Sequence, residues 1–105
     1  MISHTPTPPY YAVIFTSLKT DTDQGYAEVA EKMMQLAQQQ EGYLGMESAR
    51  NEIGITVSYW KDMESIKMWK QNSDHLMAQQ KGRSVWYKEY KVRIAKVERD
   101  YKFTI

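Results

Sequence analysis

No cysteine occurs among the 105 residues of the chain, so disulfides, thiolate metal sites and cysteine nucleophiles are excluded together. A dominant charge is missing as well. Acids and bases nearly balance at a formal net charge of +1, and no overall field recruits nucleic acid or anionic lipid. No run approaches the ~20 apolar residues of a membrane span. The opening Met1-Ile2-Ser3-His4-Thr5 has neither the basic start nor the apolar stretch of a signal peptide. These absences predict a cytoplasmic protein with no membrane and no nucleic-acid partner. Histidine is scarce too, and His4 and His75 lie too far apart to form a metal motif.

What is present reads as one domain with a modest core. All three prolines fall in Thr5-Pro6-Thr7-Pro8-Pro9, where missing donors and restricted neighbours forbid helix or central strand. Residues 1–9 are therefore expected as an extended lead-in and residues 10–105 as the domain. Tyr10 to Leu18 is a β-rich run, apolar on both faces. Asp21 and Asp23 then offer capping side chains to a helix from about Asp23 to about Gln40. Tyr26, Val29, Ala30, Met33, Leu36 and Ala37 form its inward face, and Gly42 suits a left-handed terminus.

Tyr43 to Arg50 and Gly54 to Trp60 read as a hairpin joined by Asn51-Glu52-Ile53. In the second of these runs Ile55, Val57 and Tyr59 alternate with Thr56, Ser58 and Trp60, so large groups point both ways and the strand expects cover on each face. Asp62 caps a second helix with Met63, Ile66 and Trp69 inward. Asn72-Ser73-Asp74 is read as interrupting it with a fresh cap, Leu76, Met77 and Gln80 as continuing in a short third piece, and Gly82 as ending that piece. Trp86 and Tyr87 lead into a last strand from Lys88 to about Glu98, bearing Tyr90, Val92, Ile94 and Val97.

The order strand, helix, strand, strand, helix, strand is the βαββαβ ferredoxin-like split βαβ arrangement, an α+β fold with a four-stranded antiparallel sheet. Both helices cover one face of that sheet. The other, apolar on this reading, needs a partner, and a second copy related by two-fold symmetry is the simplest one, giving a homodimer.

Trp60-Lys61-Asp62, Trp69 and Asn72-Ser73-Asp74-His75, set in this pattern, resemble the antibiotic biosynthesis monooxygenase superfamily of dimeric α+β barrels. Within it an uncharacterised bacterial subgroup is similar at Pro8 to Phe15, Gly54 to Trp60 and Trp86 to Tyr90. The resemblance spans about Tyr10 to Arg99. It implies a pocket between sheet and helices in each protomer, used by characterised members to oxidise aromatic phenols to quinones without flavin or metal, to degrade haem, or to bind or isomerise small metabolites. The cofactor-free chemistry implies no cofactor, with molecular oxygen as co-substrate and a small aromatic phenol or quinol as electron source. The protein must then deprotonate the phenol, stabilise the anion and exclude water.

Carried over by position, the resemblance implies Trp60 at the end of the third strand, while the Asn-Tyr pair of quinone-forming members falls on Thr56-Val57. For haem-degrading members Trp69 matches, but the first-strand Asn falls near Phe15 or Thr16 and the axial His near Gln79 or Gln80, which disfavours haem. His75 matches a position where many members place a pocket-facing His.

His75 is thus the candidate base and Trp60 the candidate oxyanion donor, against the bland reading of a solvated helix histidine and a core tryptophan. Phe15, Tyr59, Trp69, Trp86 and Tyr87 are candidate substrate contacts, since flat rings give apolar area with a polar handle. The bland account makes them simply core. Lys81, Arg83, Lys88, Lys91, Arg93, Lys96, Arg99 and Lys102 make the last quarter basic. The RNA-recognition motif shares this strand order but needs exposed aromatics where the third strand offers Ile53-Gly54-Ile55-Thr56-Val57, so a solvated edge is the better reading. A non-catalytic or stress-related small-molecule binding dimer of the same fold stands as the alternative to an enzyme.

Overall fold

A computed structural model describes residues 2–80 and 83–105. The elements are β1 (Tyr10–Lys19), α1 (Tyr26–Gln38), β2 (Tyr43–Arg50), β3 (Gly54–Trp60), α2 (Met63–Gln80), α3 (Arg83–Trp86) and β4 (Tyr87–Val97). The strands form one sheet in the order β2-β3-β1-β4, every neighbouring pair antiparallel. This is the expected α+β ferredoxin-like fold.

Residues directly opposite in register share a face. On one face lie Tyr11, Val13, Phe15 and Ser17 of β1, beside Trp60, Ser58, Thr56 and Gly54 of β3. Val13 and Trp60 of this set form the core with Ala37 of α1 and with Ile66 and Trp69 of α2, so this is the face that the helices cover. The reverse face carries Tyr10, Ala12, Ile14 and Thr16 beside Tyr59, Val57 and Ile55. The lead-in crosses that reverse face: the Ser3 backbone N–H donates to Glu47 Oε2 at 2.9 Å and its hydroxyl to the Met46 carbonyl at 3.2 Å. Gly45 makes room for it, since a Cβ there would meet the Ser3 side chain.

Several local expectations are corrected. First, α1 begins at Tyr26 behind Gly25, whose φ is +79°, with no side-chain cap, because the Asp23 carboxylate is held by Lys19 Nζ at 2.5 Å. Ala30 is also exposed rather than inward. Second, α2 runs unbroken through Asn72-Ser73-Asp74. There Asn72 Nδ2 donates to the Met68 carbonyl and Ser73 Oγ to the Lys70 carbonyl, so these side chains fold back on their own helix instead of opening a new one. Third, Met63 is exposed while Ile66 and Trp69 turn inward. Fourth, the last strand starts at Tyr87, after the single turn of α3. Gly82, expected to end the preceding helix, lies with Lys81 outside the described residues.

Two other signals act as their chemistry requires. Asp62 Oδ1 accepts from the Ser65 backbone N–H at 2.8 Å and from its hydroxyl at 2.7 Å, capping α2. Gly42 sits at φ +87° and its carbonyl accepts the Lys61 N–H at 2.9 Å, which ties the loop after α1 to the end of β3.

Candidate functional site

The helix-covered face divides into two ends. At the Trp60 end Trp60 exposes 0% of its surface. It stacks on Trp69 with ring centroids 5.6 Å apart, and Tyr43 meets it edge-on at 5.7 Å. Its indole N–H donates to Ser58 Oγ at 2.8 Å. The expected oxyanion donor is therefore already satisfied inside the protein, and Trp60 lines no accessible space. Trp69 is likewise core.

The opposite end of the face is more polar and more open. Arg50, Gly54, Ser17 and Tyr90 form one row across all four strands, and the next row is Ser48, Thr56, Phe15 and Val92. The Arg50 side chain crosses β3 above Gly54, where a Cβ would overlap its guanidinium, and donates from Nη2 to Ser17 Oγ at 2.5 Å. Ser17 is 2% exposed, so this bond satisfies a hydroxyl in the sheet floor.

Aromatic side chains wall this row. Phe15 stacks on Tyr90 at 5.3 Å and meets Tyr87 edge-on at 5.5 Å, and Tyr87 meets Tyr90 at 5.9 Å. Tyr26 of α1 adds edge contacts to Trp86 and Tyr87, while Lys19 Nζ lies 4.5 Å from the Tyr26 ring centre. The Trp86 indole donates to the Gln24 carbonyl at 3.0 Å, fixing α3 against the turn before α1. Along β4 the residues on this face remain open, with Tyr90 38%, Val92 46% and Ile94 48% exposed.

The Tyr87 hydroxyl sits 3.4 Å from that of Tyr26, a long contact that a ligand oxygen could replace. Burial raises the Tyr87 phenol well above its ordinary value, the Tyr26 hydrogen bond adds to this, and the Arg50 charge works in the opposite sense. Near neutral pH Tyr87 is therefore a neutral O–H, suited to donate to an anion and unsuited to act as a base.

Of the residues singled out from sequence, Phe15, Trp86 and Tyr87 come together here. Trp60 and Trp69 form the sealed core behind them. Tyr59 belongs to the reverse face, where it meets Tyr10 edge-on at 5.8 Å and donates to Glu47 Oε1 at 2.7 Å, because its neighbour Trp60 takes the helix side. His75 is exposed on α2, about 120° round the helix from inward Trp69 at 3.6 residues per turn. The expected pairing of His75 with Trp60 at one pocket is corrected accordingly. Arg50, Ser17, Tyr26 and Tyr90 were not singled out. The hairpin held the signal: Gly54 faces Arg50 across residues 51–53, which leaves a long side chain free to cross the strand.

Two other features bear on the site. An open groove of about 200 Å³ between α1 and α2, lined by Lys32, Gln35, Leu36, Gln39 and Leu76, lies away from the aromatic cluster and holds no chemistry of note. Among the described residues no group of three or more His, Asp or Glu side chains is placed to hold a metal ion.

Residues 9–81 match the model of a family described as antibiotic biosynthesis monooxygenase. The uncharacterized protein YqjZ of Bacillus subtilis (strain 168) is 54% identical over 104 residues, covering 97% of this chain and 91% of that one. Solved structures share the fold, two of them as follows. SnoaB, a cofactor-independent oxygenase from Streptomyces nogalater, superposes with a TM-score of 0.65 at 6% identity, over 90% of this chain and 97% of that one. PA3566 from Pseudomonas aeruginosa gives 0.66 at 14% identity, over 93% and 99%.

Proposed function

The chain belongs to the antibiotic biosynthesis monooxygenase family, and from that premise we propose that it is a cofactor-independent monooxygenase acting on a small aromatic phenol or quinol at the Gly54 end of the helix-covered face. The observation that carries this reading is the cluster of Phe15, Tyr26, Trp86, Tyr87 and Tyr90. It offers flat apolar walls with two hydroxyls where one side of the cluster is left uncovered.

In the proposed reaction the substrate's own phenolate gives electrons to molecular oxygen. For a phenol one oxygen atom becomes the new quinone carbonyl in place of two hydrogens, which leave with the other oxygen atom as water; a quinol with a free ring position goes to the hydroxyquinone and water with the same single O2. Phe15 and Tyr90 hold the ring, Trp86 supports the wall, and Tyr87 donates to the oxyanion as negative charge develops. His75 is given no part in it, since its side chain is exposed on α2. The test is oxygen uptake by metal-free, flavin-free protein with anthrone- and hydroquinone-like compounds. Turnover that falls about a hundredfold in Tyr87→Phe, with His75→Ala unchanged, is expected. Undiminished turnover in Tyr87→Phe refutes the role given to it.

A second reading, a non-catalytic small-molecule binding dimer, is favoured by the sealed indole of Trp60 and by Thr56-Val57, whose second member lies on the reverse face. It predicts saturable binding of the same compounds without oxygen consumption. Under both readings the protein is proposed to be a homodimer, closed on the reverse face where Leu18 and Ile55 remain exposed. Such a dimer should bury more than ~1,000 Å², and a monomer mass by light scattering at micromolar concentration would count against it.

A further inference from the structure

We propose that the row Arg50–Gly54–Ser17–Tyr90 is an oxyanion seat, and that the natural ligand of the adjoining aromatic cluster is an aromatic molecule carrying a carboxylate; this rests on reading that cluster as the ligand site. Arg50 is the observation from which the inference starts. A guanidinium has five N–H donors in a rigid fork, and here one hydrogen bond, to Ser17 Oγ, is formed. Among the described residues no carboxylate forms an ion pair with it, and the side chain is exposed, so its remaining donors are open to a ligand. The side chain is nevertheless held in place. Ser17 anchors its tip, and Gly54 provides the gap through which it crosses the sheet.

An arginine anchored at its tip, with spare parallel donors, pairs with a carboxylate in a way that it cannot pair with a neutral phenol, because two N–H groups meet two oxygens. Its position also specifies what else the ligand must be. Tyr90 stands opposite Ser17 on the neighbouring strand, one strand spacing of ~4.8 Å away, and stacks on Phe15. A flat ring attached to the carboxylate therefore has a flat surface waiting beside the fork. The charge is felt across this space, since Arg50 acts on the Tyr87 phenol. The same field favours the ionised form of any acid placed between them. The exposed Val92 and Ile94 continue the apolar strip along β4, which leaves room for a fused ring system.

The experiment compares 3-hydroxy-2-naphthoate with 2-naphthol, a pair differing in the carboxylate alone, by titration calorimetry against the full chain. In the wild type the naphthoate should bind about tenfold tighter or more, the worth of one charge-assisted pair, with a preference that shrinks as salt is added. Arg50→Met should bring the ratio to about one and leave naphthol binding within about twofold, since the rings remain. Because Arg50→Met also strips Ser17 of its partner, Arg50→Lys and Gly54→Ala provide the same test with a cation retained. Lysine should keep only part of the preference, and a methyl group at residue 54 should reduce it by displacing the guanidinium. Equal binding of the two compounds by the wild type, or a ratio preserved in Arg50→Met, would overturn the oxyanion seat while the aromatic site stands. Binding of neither compound would remove the aromatic site, and the seat with it.

Discussion

The two ends of β3 make opposite use of side-chain size on the same face of the same strand. At Trp60 the largest side chain fills the space beneath α2, and stacking on Trp69 leaves no surface for water. At Gly54 the smallest leaves a gap, which a neighbouring strand's arginine occupies without filling. The sealed end gains its stability from burial. The open end keeps a charge and several rings at a solvent boundary. One strand thus supplies a plug at one end and a berth at the other, and the difference depends on which residues lie opposite them in register.

The contrast breaks most severely at the plug. Trp60→Ala should destabilise the protein by about 3–5 kcal/mol through cavity formation, read as a lowered denaturant midpoint. Gly42→Ala attacks the loop that anchors the same end. Its φ of +87° and the Ser65 side chain crowding its would-be Cβ make a loss of about 1–2 kcal/mol the expected outcome. Gly54→Ala sharpens the comparison from the other side. The group in the way is the far end of a flexible arginine, so stability should change by less than ~1 kcal/mol, and a loss as large as that of Trp60→Ala would show that the open end is sealed after all.

Behind the sheet, pH probes the Glu47–Tyr59 pair. Burial, with the Glu47 hydrogen bond adding to it, pushes the Tyr59 phenol up to about 12. Its contribution is therefore complete below its unfolded value near 10 and should be lost as pH rises from about 10 towards 12. Glu47 is held below its usual 4.5, first by the Tyr59 hydroxyl and then by the Ser3 N–H, so its share is present above that value and fades as pH falls through the lowered one. Tyr59→Phe should reduce the alkaline limb, to which the raised Tyr87 phenol also contributes, and shift the acid limb, whereas Tyr87→Phe should leave the acid limb untouched. The smallest effect is expected from His75→Ala, within about 0.5 kcal/mol for an exposed helix position.

Much of the chain's architecture could be read from its residues, and the part that could not has a common cause. Alternation in Gly54 to Trp60 shows a two-sided strand, yet period two cannot say which side the helices take. Trp60 and Tyr59 therefore read from sequence as neighbours at one pocket although they face opposite ways. Asp62 and Gly42 act locally, so their roles were legible. Asn72 to Asp74 carry equally strong capping chemistry, but inward Leu76 and Met77 extend the stripe set by Ile66 and Trp69, and packing keeps the helix continuous through them. Arg50 was missed because its reach depends on a glycine across the hairpin and a serine one strand further on.

The placement of β1 in the middle of the sheet also has a kinetic consequence. The β2–β3 hairpin closes over residues 51–53, at little loop entropy, and brings Arg50 opposite Gly54 early in folding. Ser17, although earlier in the chain, gains its β4 neighbour Tyr90 only when the final strand docks. Contacts so distant in sequence slow the assembly of a sheet. The cationic half of the row is thus joined by a short-range connection and its aromatic half by a long-range one, so a ligand needing both requires the whole sheet to be assembled.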